Sequence, residues 1–121
     1  MNPFADDVGI TGLTSGDGEA RANLEAQDRH LNPAGAVHGG VMATLVDVAM
    51  GAAVRTMIGD DDAAATTQLT LAYLRPGKPG MLTVHAHVGK QGEHILVCAA
   101  QVEQDGKQLI EALATFAITT H

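Results

Sequence analysis

Residues 41–58 read Val41-Met42-Ala43-Thr44-Leu45-Val46-Asp47-Val48-Ala49-Met50-Gly51-Ala52-Ala53-Val54-Arg55-Thr56-Met57-Ile58. The stretch predicts a helix of about five turns. Its apolar side chains fall on every side, so the helix is expected to be buried nearly all round. Asp47 and Arg55 alone carry charge, and the run is short for a membrane span. Gly59 and Asp60-Asp61-Asp62 end it in a solvated loop. Upstream, 28–40 forms a loop holding Pro33, Gly35, Gly39 and Gly40. Before that, 19–27 alternates: Ala20, Ala22, Leu24 and Ala26 on one side, Arg21, Asn23, Glu25 and Gln27 on the other. That is a strand with one covered face.

Four more strands follow the helix. They span 66–74, 81–90, 94–104 and 107–119, separated by Arg75-Pro76-Gly77-Lys78-Pro79-Gly80, Gln91-Gly92 and Asp105-Gly106. The last pair is a strong two-residue hairpin signal. The run from Ile95 to Ala100 suggests a strand covered on both faces. One strand, one long helix and a four-stranded meander imply an α+β architecture: a curved antiparallel sheet wrapped around a central helix.

The 121 residues fit a single domain spanning 1–121. Aromatic residues make up 2%, namely Phe4, Tyr73 and Phe116, so small aliphatic side chains must fill the core and oligomerisation would add burial. A net charge of −7 with no Trp argues against nucleic-acid binding. The one cysteine, Cys98, excludes an internal disulfide. With no basic segment leading an apolar run at the N-terminus, it fits a cytoplasmic protein.

Asp47 is the residue that most suggests chemistry. A carboxylate in the most apolar helix must be paired, hydrogen-bonded or protonated. Its helical neighbours are Ala43, Met50 and Gly51, two of them small, which leaves room for a ligand or a close partner. An Asp that merely binds backbone groups across an interface would show the same pattern. His38-Gly39-Gly40, ahead of the helix, offers backbone N–H groups and the positive end of the dipole to an oxyanion. A flexible turn would also contain Gly-Gly. Eight residues separate Gly39 from Asp47, roughly 12 Å along a helix axis. One helix cannot readily present both to one carbon, whereas two antiparallel copies about a two-fold axis can.

Asn32-Pro33-Ala34-Gly35-Ala36-Val37-His38-Gly39-Gly40, followed by Thr44-Leu45-Val46-Asp47, resembles the signature of hot-dog-fold acyl-CoA thioesterases. The likeness is to the phenylacetate-pathway type, related to the Arthrobacter-type 4-hydroxybenzoyl-CoA thioesterase. It runs from about Val8 to Ile118 and includes Tyr73-Leu74-Arg75-Pro76. The resemblance implies an acyl-CoA substrate, no cofactor, and a homodimer or dimer of dimers. It implies that the Gly39 N–H polarises the thioester carbonyl and that the partner chain's Asp47 is general base or nucleophile. Asn32 would orient the carbonyl or the water, His38 would shape the oxyanion loop, and Thr66 or Thr67 would hold the water. Gly40, Met50 and Gly51 would line the substrate. Many relatives carry basic residues after the turn glycine, where Glu93 and His94 stand here. Arg75, Lys78 and Lys90 are then the cations left for the coenzyme A phosphates.

Two rival readings are a hydratase or dehydratase on the same fold and a non-catalytic acyl-CoA binding module. The hydratase branch needs a His soon after Asn-Pro, and Ala34-Gly35 stand there. His85 and His87 share a strand face, and without a third ligand they read as a solvated pair. Cys98 lies in an apolar run and reads as packing.

Overall fold

The alternation that marks the strands turns one face of each toward the core. The computed structural model describes residues 2–120. Its elements are α1 (Pro3–Val8), β1 (Ile10–Gly16), β2 (Glu19–Ala26), a 3₁₀ turn (Asp28–His30), α2 (Gly39–Arg55), β3 (Asp62–Tyr73), β4 (Gly80–Gln91), β5 (Ile95–Gln104) and β6 (Lys107–Thr120). The six strands form one antiparallel sheet in the order β1-β2-β4-β5-β6-β3. Leu24, Leu82, Val84, Leu96, Val102 and Ile110 point from it onto Leu45, Val46, Met50 and Val54 of α2, and all ten are fully buried. Each contributes about 1.5–3 kcal/mol by leaving water. No helix among the described residues is long and apolar enough to cross a membrane.

The sheet is not the simple meander expected. β2 pairs with β4, and β3 lies at the far edge beside β6. The helix after β2 crosses the concave face, so the chain emerges at the opposite edge. Alternation tells which face a strand buries, not which neighbour it takes. β3 also starts earlier, at Asp62, inside the expected acidic loop. The helix runs from Gly39 to Arg55 rather than from 41 to 58, because Thr56 and Met57 turn tightly onto Ala53 and Val54.

Two elements escaped the sequence reading. β1 buries only Ile10, so it shows no alternation. Its hairpin signal is nevertheless present: Asp17 and Gly18 take φ of 51° and 79°, the same left-handed pair as Asp105 and Gly106. α1 has six residues, with the Asn2 side chain accepting from the Ala5 N–H and Gly9 closing it in the left-handed region.

The helix is not buried all round. Thr44, Asp47, Val48 and Gly51 are half-buried and Arg55 is exposed, forming one stripe that the sheet leaves open. β5 alternates likewise: Leu96, Cys98 and Ala100 are fully buried, whereas Ile95 is exposed and Val97 and Ala99 are half-buried. The sheet covers one face of everything it touches, so an apolar run in the sequence need not be enclosed.

The 74–79 loop crosses under the start of α2 at Gly77. Its carbonyl accepts from the Val37 N–H at 2.9 Å. A Cβ there would lie 3.1 Å from Val37 Cβ and Cγ2 and 3.3 Å from Met42 Sδ. Gly77→Ala is therefore expected to destabilise the fold by about 1–3 kcal/mol through overpacking. Urea denaturation would read this as a lower midpoint at unchanged m. An unchanged midpoint would mean that the loop yields freely.

Candidate active site

The loop before α2 is tied down at both ends. The Asn32 N–H donates to the Ala36 carbonyl at 2.8 Å, and Asn32 Oδ1 accepts from the Ala34 and Ala36 N–H groups at 2.9 and 3.1 Å. This turn occupies the side-chain oxygen and leaves the Nδ2 donors available. The His38 N–H donates to the carbonyl of His30 at 2.8 Å. His30 is buried, with Nδ1 accepting from the Gln27 N–H and Nε2 at 2.6 Å from the Val8 carbonyl, so it must be the Nε2–H tautomer. His38 then caps the helix, its Nδ1 accepting from the Gly40 N–H at 3.2 Å.

That cap narrows the expected oxyanion site. The Gly40 N–H is taken, whereas no hydrogen bond among the described residues engages the Gly39 N–H. Gly39 lines a cavity of about 330 Å³ with Asn32, Met42, Tyr73 and Arg75. The Tyr73 hydroxyl donates to the Gly39 carbonyl at 2.9 Å.

Asp47 lies on the open stripe, half-buried rather than enclosed in the core. Thr66 Oγ1 donates to its Oδ1 at 2.9 Å. The two share a second cavity, about 200 Å³, with Gly51 and Arg55. The two threonines part company here. A bulge interrupts β3 between Thr66 and Gln68, and the Thr67 hydroxyl bonds Thr115, at 3.1 Å to its carbonyl and 2.7 Å to its Oγ1. Thr67 therefore does not join Asp47. Nor does Met50, which is fully buried in the core and lines neither cavity. Its position beside Asp47 on the helical wheel suggested contact with substrate, but it turns toward the sheet.

The candidate cations also separate. Arg75 and Lys78 line a cavity of about 250 Å³ together with Lys107, which sequence reasoning missed. Buried Gln104 shapes this cavity by accepting from the Lys78 N–H at 2.9 Å and donating to its carbonyl at 2.7 Å. Lys90 sits at the other end of β4. The third cation, on a neighbouring hairpin, has no local signature in the sequence.

Elsewhere, His85 Nε2 meets Glu19 Oε1 at 2.7 Å, and this contact holds the Glu19 carboxyl below its ordinary value. Among the described residues no cluster of three or more His, Cys, Asp or Glu side chains is arranged to hold a metal ion. Burial pushes the Cys98 thiol up to about 11, so it is not a thiolate near neutral pH.

Residues 34–111 match the Thioesterase superfamily. Human acyl-coenzyme A thioesterase 13 is 33% identical over 69% of this chain and 60% of its own length. The Pseudomonas aeruginosa protein PA5202 superposes with a TM-score of 0.93 at 30% identity, covering 98% of this chain and 95% of that one. The Escherichia coli PaaI protein from the phenylacetic acid degradation operon gives a TM-score of 0.88 at 27% identity, over 96% and 83% of the two chains. The chain belongs to the Thioesterase superfamily and has its hot-dog fold; it is a thioester hydrolase.

The Thr66–Asp47 contact makes a test that the sheet alone would not pass. Hydrogen bonds to charged groups contribute about 1.5–3 kcal/mol. Thr66→Val is expected to lower kcat roughly 10- to 100-fold, and Thr67→Val to leave it within about twofold. Steady-state kinetics with a thioester substrate would check both; equal effects would dissolve the distinction.

Proposed function

We propose that the protein hydrolyses an acyl- or aryl-acyl-CoA thioester to the free acid and coenzyme A, at a site completed by a second copy of the chain. One observation carries this reading. The Gly39 donor and the Asp47 carboxylate lie on the same helix but in two cavities that share no lining residue. A tetrahedral intermediate needs both within about 3 Å. In an antiparallel pair of α2 helices, Gly39 of one copy faces Asp47 of the other, and the open stripe of Val48 and Gly51 becomes the contact. The name of the human relative supports an acyl-CoA, the phenylacetic acid degradation operon of the E. coli relative supports an aryl acyl group, and kinship with the Arthrobacter-type 4-hydroxybenzoyl-CoA thioesterase is part of this proposal.

In this reading the thioester carbonyl accepts from the Gly39 N–H, with Asn32 Nδ2 beside it. Asp47 takes a proton from water, or attacks the carbonyl itself to give a mixed anhydride that water then opens. In the first route the water oxygen bonds the carbonyl carbon and the departing sulfur takes the proton back from Asp47. In the second the sulfur departs as thiolate and takes its proton from solvent. Either way the carbonyl–sulfur bond breaks and coenzyme A is released as the thiol. Thr66 holds the carboxylate in place. The acyl chain lies along Gly51, and a reducing cytoplasm suits the single buried thiol.

Asp47→Asn keeps shape and is expected to lower kcat by ~10²–10⁴ with the substrate still bound. Free-thiol release across a thioester panel measures this. A loss below about tenfold would make Asp47 structural.

The coenzyme carries several phosphate charges toward a protein of net charge −7, so local cations must hold it. Lys78→Ala and Lys107→Ala are each expected to raise KM about 3- to 10-fold with kcat unchanged. Added salt should shrink the effect, since exposed charges are screened beyond ~8–10 Å. Lys90→Ala serves as the comparison; KM rising only there would move the phosphates to the opposite rim.

A further inference from the structure

The peptide unit between Gly39 and Gly40 is gripped at both ends. Its N–H, on Gly40, is capped by His38 Nδ1 at 3.2 Å. Its carbonyl, on Gly39, accepts from the Tyr73 hydroxyl at 2.9 Å. Within a helix that oxygen also receives an N–H from four residues on, so the tyrosine occupies its second lone pair. The preceding peptide has its carbonyl turned into the helix, where His38 O accepts from the Val41 and Met42 N–H groups at 3.0 and 3.4 Å. Its N–H, on Gly39, is thereby left facing the cavity.

Tyr73 does more than donate. A Cβ added at Gly39 would lie 3.3 Å from the tyrosine oxygen and 3.4 Å from Cε1 and Cζ. The ring thus fills the space where residue 39 would carry a side chain. Tyr73 ends β3, the same strand that presents Thr66 to Asp47. One strand therefore braces the carbonyl-binding donor at one point and the carboxylate at another.

We infer that Tyr73 is a positioning residue for thioester hydrolysis: its hydroxyl and ring hold the Gly39–Gly40 peptide so that the Gly39 N–H points at the substrate carbonyl. This rests on the reading of Gly39 as the carbonyl donor. Small misplacements matter because a preorganised donor acts without reorganising at the moment of reaction. Removing a complete oxyanion donor costs about 10²–10³ in kcat. A donor that is present but loosened should cost less, on the order of 10-fold to 50-fold.

The test is Tyr73→Phe, which deletes one oxygen from a half-exposed side chain and keeps the ring. Kinetics should show kcat lowered about 10- to 50-fold, with KM within about twofold and the thermal midpoint unchanged. The spectroscopic arm uses an acyl-CoA labelled with ¹³C at the thioester carbonyl, bound to Asp47→Asn protein so that it survives. Isotope-edited infrared difference spectra should show the carbonyl stretch shifted down relative to free substrate, and the shift should fall by half or more in the Asp47→Asn/Tyr73→Phe double variant. An equal shift in both proteins, or a Tyr73→Phe kcat within about twofold of the parent, overturns the role of Tyr73. No shift in the Asp47→Asn protein itself overturns the reading of Gly39 instead.

Discussion

A rise of 1.5 Å per residue keeps Gly39 and Asp47 roughly 12 Å apart, whatever the sheet does around them. That distance is the constraint on which the site turns. The first residue of α2 offers a backbone N–H with no acceptor among the described residues, and the ninth offers a carboxylate held by Thr66. Each faces its own cavity. In the proposed reading a single copy holds two separate halves of the hydrolytic site, and a partner of opposite direction brings unlike halves together.

The sheet's task is to expose the right stripe of the helix. Six strands bury eight positions of α2 and leave Asp47, Val48 and Gly51 half-covered. The same one-sided packing explains how such a light core suffices. Alanines on β2, β4, β5 and β6 let the helix sit close to the sheet, and leucine, valine and methionine fill the remaining space. Loop geometry then fixes the chemistry. Asn32 spends its oxygen on its own turn, His38 spends its imidazole on Gly40, and among the described residues Gly39 is the first-turn residue of α2 whose N–H has no acceptor.

Much of this was legible in the sequence, and the losses have physical causes. The period-two strands, the long helix and the Asp105-Gly106 turn could be read because each writes a local pattern. The strand order could not, since β3 beside β6 and β2 beside β4 are long-range choices made by the helix crossing. β1 was missed for want of alternation, although Asp17-Gly18 marked its turn. Asp47, Gly39 and His38 stood out by type and spacing, and Asn32 through the family resemblance; their roles belong to the proposed function. The choice between Thr66 and Thr67 depended on a bulge that spacing does not reveal. Met50 was misread because an apolar helix leaves open which side the sheet will take. Tyr73 meets Gly39, and Lys107 lines a cavity with Arg75 and Lys78, across about thirty residues of sequence, a juxtaposition that no local pattern reveals.

The shared site is tested most directly by hybrid dimers. One chain carries Asp47→Asn; the other carries Gly39→Val, whose side chain would collide with Tyr73. Each variant alone should be nearly inactive. Co-expressed with different tags and purified through both, a hybrid holds one intact site, made from Gly39 of the first chain and Asp47 of the second, beside one doubly damaged site. The account predicts about half the wild-type kcat per dimer. A hybrid no more active than its two parents would contradict it and return both residues to a single chain.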